Sequence, residues 1–268
     1  MRPACLCGCV TLARMRVAVL SDVHGNVRAL EAVLADMGAV DLVVANGDLL
    51  AFGPRPAETL AALRRLPNVL YVSGNNDRYL VERRWEAEPS DGWEAEAFAN
   101  LHWTAGAIGP QGLDFVATWP FGQHLGLGGG ALVVHASPLA DNIGMFPWTP
   151  DAQLGHMLRE VNEPLVICGH THLVMDRQPD GHRVMSDGSA GFPFDRDVRP
   201  SYIIVDDATG RVQVEVRRVS YDATAALRDL ARRSVPFAQV IAFQIRHAAL
   251  MPKHETDYAR QDLVRFAE

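Results

Sequence analysis

The sequence predicts an α/β fold, and three features of its patterning carry the prediction. Short apolar runs of strand length alternate with amphipathic stretches whose apolar residues recur at helical spacing. Several of the runs stop abruptly in polar loops rich in Asp, Asn, His and Gly. At 268 residues with 48% hydrophobic content, the chain can bury one large core.

Arg16–Leu20 reads as the first strand and runs into Ser21-Asp22-Val23-His24-Gly25-Asn26. Ala29, Leu30, Val33, Leu34 and Met37 then mark one face of a helix. Asp41–Ala45 is a second strand, ending in Asn46-Gly47-Asp48. Pro56 opens a helix through Leu66, because proline is tolerated in a first turn. Val69–Val72 is a third strand, followed by Ser73-Gly74-Asn75-Asn76-Asp77. Residues 78–120 read as a helical insertion beside the strand ends, carrying Trp85, Trp93, Trp103 and Trp119. Such rings serve either as a substrate platform or as the packing of a small helical subdomain, and packing is the expectation for any one of them.

Strands resume at Ala131–Val134, leading to His135, and at Leu165–Cys168, leading to Gly169-His170-Thr171-His172. Alternating segments at Arg183–Met185, Ser201–Val205 and Arg211–Val219 suggest an antiparallel second layer, with Asp180-Gly181 as a hairpin signal. Helical periodicity returns over 222–268, broken by Pro236. No repeat or linker divides the chain, so residues 15–268 are expected to form a single domain.

The formal net charge of −7 argues against a nucleic-acid polymer as partner, since phosphate backbones are held by dense Lys/Arg surfaces. It is compatible with a small phosphate ester, because bound divalent cations supply local positive charge. No apolar run reaches the roughly 18 residues of a membrane span. Cys5, Cys7 and Cys9 crowd into residues 1–14, which are expected to be an unstructured extension with translation starting at Met15. Nothing in the cysteine spacing suggests a disulfide framework, so a cytoplasmic location is expected. The sequence leaves self-association open.

Five strands each end in a potential metal ligand: Asp22 with His24, Asp48, Asn75, His135, and His170 with His172. Loops converge at the carboxyl ends of strands in α/β folds, so side chains placed there can meet. Seven O/N donors suit two divalent ions, and carboxylate with imidazole fits Mn, Fe, Zn or Ni. Each piece alone is weak. A single Asn after a strand is ordinarily a turn residue, and a single His such as His135 is ordinarily structural. Their joint order after five strands is the informative feature.

Asp22-Val23-His24, Gly47-Asp48, Gly74-Asn75-Asn76-Asp77, His135 and Gly169-His170-Thr171-His172 resemble the ordered blocks of the calcineurin-like metallophosphoesterases. Gly53-Pro54 and Gly188-Ser189-Ala190-Gly191-Phe192-Pro193 resemble a bacterial single-domain branch of phosphodiesterases and phosphatases. The likeness runs from about Met15 to Val219. It implies a four-layer αββα sandwich of two mixed sheets flanked by helices, with a dimetal site at one edge. It further implies that Asp22, His24 and His172 bind one metal, that Asn75, His135 and His170 bind the other, and that Asp48 bridges them. Such a pair activates a bridging water and clamps phosphoryl oxygens for in-line displacement.

One position departs from the family pattern. The third block usually carries His after the metal-binding Asn, as the acid for the leaving group, and here stands Asn76. A carboxamide donates a hydrogen bond but releases no proton at neutral pH. Asp48, Asn76 and Asp77 are the expected catalytic positions, and Asn26 and Arg78 the expected phosphate contacts. His102, His124 and His156 are other histidines that could supply a proton, each expected first as a surface residue. The expected function is dimetal-dependent hydrolysis of phosphodiesters or nucleotide-like esters. The alternatives are a phosphomonoesterase, including a protein phosphatase, and a non-catalytic metal-binding regulator.

Overall fold

The computed structural model describes residues 15–207 and 212–251; residues 1–14, with their three cysteines and the expected extension, lie outside the described residues. The chain begins with β1 (Arg16–Leu20), α1 (Val27–Met37), β2 (Leu42–Asn46), α2 (Pro56–Arg64) and β3 (Val69–Val72). Then come α3 (Asn75–Val81), a 3-10 turn at Arg84–Glu86 and α4 (Gly92–Val116). β4 (Gly122–Leu125), β5 (Ala131–Val134), α5 (Asp151–Leu158), β6 (Leu165–Cys168), β7 (Val174–Arg177) and β8 (Arg183–Asp187) follow. The described chain closes with β9 (Ser201–Asp206), β10 (Gln213–Arg218), α6 (Ala223–Arg232) and α7 (Ala238–His247).

The strands form two mixed five-stranded sheets, ordered β10-β9-β1-β2-β3 and β4-β5-β6-β8-β7. β1, β2 and β3 run parallel, as do β5, β6 and β8. Alternation along each strand sends residues to opposite faces. Val17, Val19, Val44, Ile203 and Val205 of the first sheet meet Val133, Ile167 and Met185 of the second, forming the middle of the molecule. The outer face of the first sheet, with Ala18, Leu20, Val43 and Ala45, packs under Leu30, Val33, Leu60, Leu63 and Leu101 of the helical layer. The outer face of the second, with Leu132, Val134, Val166 and Val184, packs on Leu154, Met157 and Leu158 of α5. The result is the αββα sandwich.

The expected antiparallel second layer is corrected by this topology. β8 lies in the second sheet beside β6 in parallel, whereas β9 and β10 extend the first sheet antiparallel to β1. The reason is burial: Tyr202 and Ile204 are as buried on the helical side as Ile203 and Val205 are between the sheets. β9 is therefore a central strand with two apolar faces, and its sheet cannot be read from alternation. Asp180-Gly181 does turn a hairpin, between β7 and β8, with both residues at positive φ (46° and 82°). α4 packs on α2 and α3 and is broken at Gly109, whose φ of 68° precedes Pro110. No helix among the described residues is long and apolar enough to cross a membrane.

Candidate metal centre

The parallel strands of both sheets end at one edge of the sandwich, and their loops bring the predicted ligands together. Asp22 and His24 follow β1, Asp48 follows β2, His135 follows β5, and His170 and His172 follow β6, while Asn75 opens α3. Five of these residues sit in left-handed backbone: Asp22 (φ 54°), His24 (49°), Asp48 (54°), His170 (65°) and His172 (57°). Non-glycine residues avoid this region, and its concentration at one locus marks a site held against local preference. Cross-loop hydrogen bonds hold it: Asp22 N to Gly47 O (3.0 Å), His24 N to Asp48 O (2.9 Å) and Gly169 N to His135 O (2.7 Å). The loops touch so closely that a Cβ on Gly74 would lie 2.2 Å from Asp48 Oδ1, and one on Gly169 2.6 Å from Asp22 Oδ2.

Two clusters result. Asp22, His24 and His172 form one, and Asp48, His135 and His170 the other, with the donor atoms of each within 4.8 Å of one another. Asp48 Oδ2 lies between them, 3.8 Å from His24 Nε2 and 3.4 Å from His135 Nε2. Asp22 Oδ1 lies 3.2 Å from His172 Nε2 and 3.9 Å from His135 Nε2.

The donor orientation tests whether cations fit. His24 Nδ1 donates to Ala51 O (2.9 Å), His135 Nδ1 to Asn46 O (2.9 Å), and His172 Nδ1 to Phe192 O. Each backbone acceptor fixes the tautomer and leaves Nε2 facing inward, the arrangement of metal-binding histidines. His24 Nε2 and His172 Nε2 approach to 3.2 Å, two lone pairs that a shared cation would reconcile. Asp22 Oδ1, Asn75 Oδ1 and His135 Nε2 are buried polar atoms without a hydrogen-bond partner. Asp22 Oδ1 and His135 Nε2 lie 3.9 Å apart and Asn75 lines the same cleft, a costly set of orphans that metal binding satisfies. The residues fit the group.

Electrostatics agree. Burial pushes His24 down to about 4, and burial with the neighbouring His135 does the same for His170, so both imidazoles are neutral donors. Burial opposes charge on His135 as well, but the carboxylates of Asp48 and Asp22 raise it to about 10. Burial would raise Asp22 and Asp48, yet the surrounding imidazoles hold both below the usual carboxylate range. The cage thus favours bound positive charge.

Other predicted residues take different places. Asn76 Nδ2 donates to Asp48 Oδ2 (2.6 Å) and its backbone N to Asp48 Oδ1 (2.9 Å), so it grips the central carboxylate while lining the cleft. Asp77 is fully buried behind it and accepts from Asp48 N (2.7 Å), Gly74 N (3.0 Å) and Leu49 N (3.3 Å). Burial, then the charge of Asp48, raises its carboxyl to about 7. Its contacts are those of a residue that positions Asp48. The two expected phosphate contacts have protein partners of their own. Asn26 caps α1 through Ala29 N and donates to Gly191 O, wholly buried. Arg78 spends its guanidinium on a bidentate pair with Asp141 (2.6 and 3.0 Å) and on Glu82. His102 stacks on Trp85, His124 pairs with Glu163, and His156 is exposed on α5; none lines the cleft.

Sequence reasoning missed two groups. Asp187 lies behind Asp22, joined through Ser21 Oγ, which sits within hydrogen-bond distance of both carboxyl groups. Its position at the end of β8, a strand already foreseen, was an available signal. The second group is the rim of the cleft above the clusters, a cavity of about 310 Å³ whose walls include Phe52, Trp93, Phe194, Phe237 and Gln244. These come from distant segments, and only the fold assembles them.

The calcineurin-like phosphoesterase superfamily domain matches residues 15–210. An uncharacterised protein of Methanocaldococcus jannaschii is 25% identical over 245 residues, spanning 84% of this chain and 96% of the relative. A metallophosphoesterase from Sphaerobacter thermophilus has a similar structure at 26% identity and a TM-score of 0.73, covering 89% of this chain and 100% of that one. A hypothetical protein from Pyrococcus horikoshii shares the fold at 22% identity and a TM-score of 0.75, covering 88% and 99%.

Proposed function

Because this chain belongs to the calcineurin-like phosphoesterase superfamily and is a metal-dependent phosphoesterase, we propose that it hydrolyses phosphodiesters or nucleotide-like esters at the two clusters. The observation that carries the reading is the set of buried, partnerless donors: Asp22 Oδ1, Asn75 Oδ1 and His135 Nε2. Asp22, His24 and His172 would hold one divalent cation, Asn75, His135 and His170 the other, and Asp48, whose carboxylate lies between the two groups, would serve both. Carboxylate and imidazole donors suit Mn, Fe, Zn or Ni. When bound, two such ions supply Lewis-acid polarisation of phosphoryl oxygens and an activated water.

The chain's own groups define what that chemistry serves. Asp77 fixes the Asp48 backbone, and Asn76 fixes its side chain. Asn76 stands where the family's third block usually carries His, and its carboxamide releases no proton at neutral pH. The only titratable cleft-lining side chain besides the candidate ligands, among the described residues, is the Tyr79 phenol. Weakly basic leaving groups need no acid, so diesters with good leaving groups and phosphoanhydrides are favoured over alkyl monoesters.

The test is turnover of bis(4-nitrophenyl) phosphate against 4-nitrophenyl phosphate by protein reconstituted with Mn²⁺ or Zn²⁺, with metal content measured alongside. Two ions per chain and a preference for the diester are expected, and Asp48→Asn should abolish both. No turnover of either ester by protein holding two ions would overturn the hydrolase reading. A monoester preference would overturn the substrate class.

A further inference from the structure

The rim of the cleft carries a subsite of its own. We propose that Phe52, Phe237 and Trp93 form a stacking wall for a planar heteroaromatic ring, of the nucleobase class, on the organic part of the ester. The inference rests on the hydrolase reading only for the word ester; the wall stands on separate observations.

The first observation is continuity. Ring follows ring outward from the metal cluster: His24 to Phe52 at 6.1 Å, Phe52 to Phe237 at 6.2 Å, and Phe237 to Trp93 at 4.2 Å, edge to face. The three wall residues come from the loop after β2, the turn between α6 and α7, and the first turn of α4. A group bound at the metals therefore has aromatic surface beside it in one direction.

The second observation is strain with a dedicated brace. Phe52 and Phe237 both have left-handed backbone, at φ 73° and 70°. For a bulky residue this is a true outlier, and such outliers collect at ligand clamps. One buried side chain secures both. Asn100 Oδ1 accepts from Phe52 N (2.8 Å), and Asn100 Nδ2 donates to Pro236 O (2.9 Å), the residue before Phe237. Thr104 Oγ1 donates to the same Asn100 oxygen (3.3 Å). Asn100 is wholly buried. Phe237 is also packed in the apolar cluster of α6 and α7, 9% exposed, so the brace holds two rings that line the cleft from a rigid base.

The third observation is what the rim omits. No Lys or Arg lines the cleft among the described residues, so the rim itself adds no cationic contact for the organic part of the ester. A bare sugar would need several directional hydrogen bonds, and the rim offers few. It does offer Gln244 on α7, half-buried, with a carboxamide that makes no side-chain hydrogen bond among the described residues. A carboxamide presents donor and acceptor side by side, which complements the edge of a base. Rings for the face, with the amides of Gln244 and Asn142 and the Tyr79 hydroxyl for the edge, suit a planar base better than an acyl chain.

The experiment compares dissociation constants of adenosine 5′-monophosphate and ribose 5-phosphate for Mn²⁺-loaded protein by calorimetry. The two ligands share phosphate and sugar and differ in the ring. Stacking on an aromatic wall should make the nucleotide bind about 10-fold tighter or more. Trp93→Leu should bring the two constants within about twofold of each other by weakening the nucleotide alone, and Trp93→Phe should keep most of the preference. Gln244→Leu should narrow the difference between adenine and uracil nucleotides. Equal affinity of the wild type for both ligands would overturn the proposal, as would a Trp93→Leu variant that weakens both alike. Retained nucleotide preference without turnover of any ester would sink the hydrolase reading and leave the ring subsite standing.

Discussion

Asp229→Ala tests how much of the clamp between the C-terminal helix pair and the body runs through one carboxylate, beside the Arg233–Glu58 pair at the end of α6. Asp229 lies on α6 with its side chain only 9% exposed, and it receives Arg55 Nε (2.6 Å), Arg55 Nη2 (2.7 Å) and Arg28 Nε (3.1 Å). Each charge-assisted bond is worth about 1.5–3 kcal/mol at most. The Arg28 bond is discounted to almost nothing because that side chain is 38% exposed. Arg55 keeps Glu58 at 3.0 Å when Asp229 is gone, so no cation is left unpaired. The net loss is about 2–3 kcal/mol, less than for a fully buried pair. For a chain of this size that lowers Tm by roughly 5–10 °C. The pH dependence has a definite sign. Arg55 hydrogen bonding, against some burial, holds the Asp229 carboxyl below its ordinary value. A depressed acid stabilises the fold above its unfolded pKa of about 3.9 and loses that contribution as pH falls through the folded value. Urea unfolding at pH 7 and pH 3.5 should therefore show a gap between wild type and variant that narrows in acid. The same variant should weaken nucleotide binding without changing metal content, because Phe237 lies in the turn between α6 and α7 and Gln244 lies on α7. A Tm within 1 °C or so of wild type at pH 7, or a gap that ignores pH, would refute the clamp.

Gly74→Ala should displace Asp48, since its Cβ would lie 2.2 Å from Oδ1 and 2.4 Å from the backbone N; metal analysis should then find fewer than two ions per chain, and full occupancy at wild-type affinity would contradict the role given to Asp48. Asp77→Ala removes the acceptor for Asp48 N, Gly74 N and Leu49 N, so metal affinity should fall about 10- to 100-fold in a Mn²⁺ titration. An unchanged titration would mean that Asp77 does not position the centre. For wild type, kcat/KM across substituted aryl and alkyl esters should fall steeply as leaving-group pKa rises. Asn76→His should raise the alkyl esters selectively, by up to about 10²–10⁴-fold; equal gains on all esters would show that the missing proton is not what limits them.

What the sequence made legible, and what it hid, follow from the reach of each signal. Asp22, His24, Asp48, Asn75, His135, His170 and His172 could be singled out because each follows directly on an apolar run, and parallel strands deliver their ends to one edge. Proximity in sequence stops being informative one turn later. Asn26, two residues beyond His24, turns away to cap α1, and Arg78, three residues beyond Asn75, is drawn by Asp141 from a loop far along the chain. Side-chain direction there is decided by the partner rather than by the neighbour, so adjacency to a ligand says little about where Asn26 and Arg78 reach. Strand membership failed for a related reason. β9 is buried on both faces, so its alternation carries no information about which sheet it joins, and the antiparallel partner β1 lies 180 residues or so earlier. The rim required three segments at once. Phe52, Trp93 and Phe237 are each ordinary in their own windows, and only Asn100 reveals that two of them are held in one strained arrangement. A catalytic centre built on strand ends is thus announced by local pattern, whereas the surface that chooses its substrate is assembled from loops and added helices. That division accounts for why the reaction class is readable in this chain before the substrate is. On the proposed ring subsite, variants that separate substrates are expected on α4 and α7, in the turn before α7 and in the loop after β2, where a change at Trp93 or Gln244 should alter which ester binds while the seven donors stay in place.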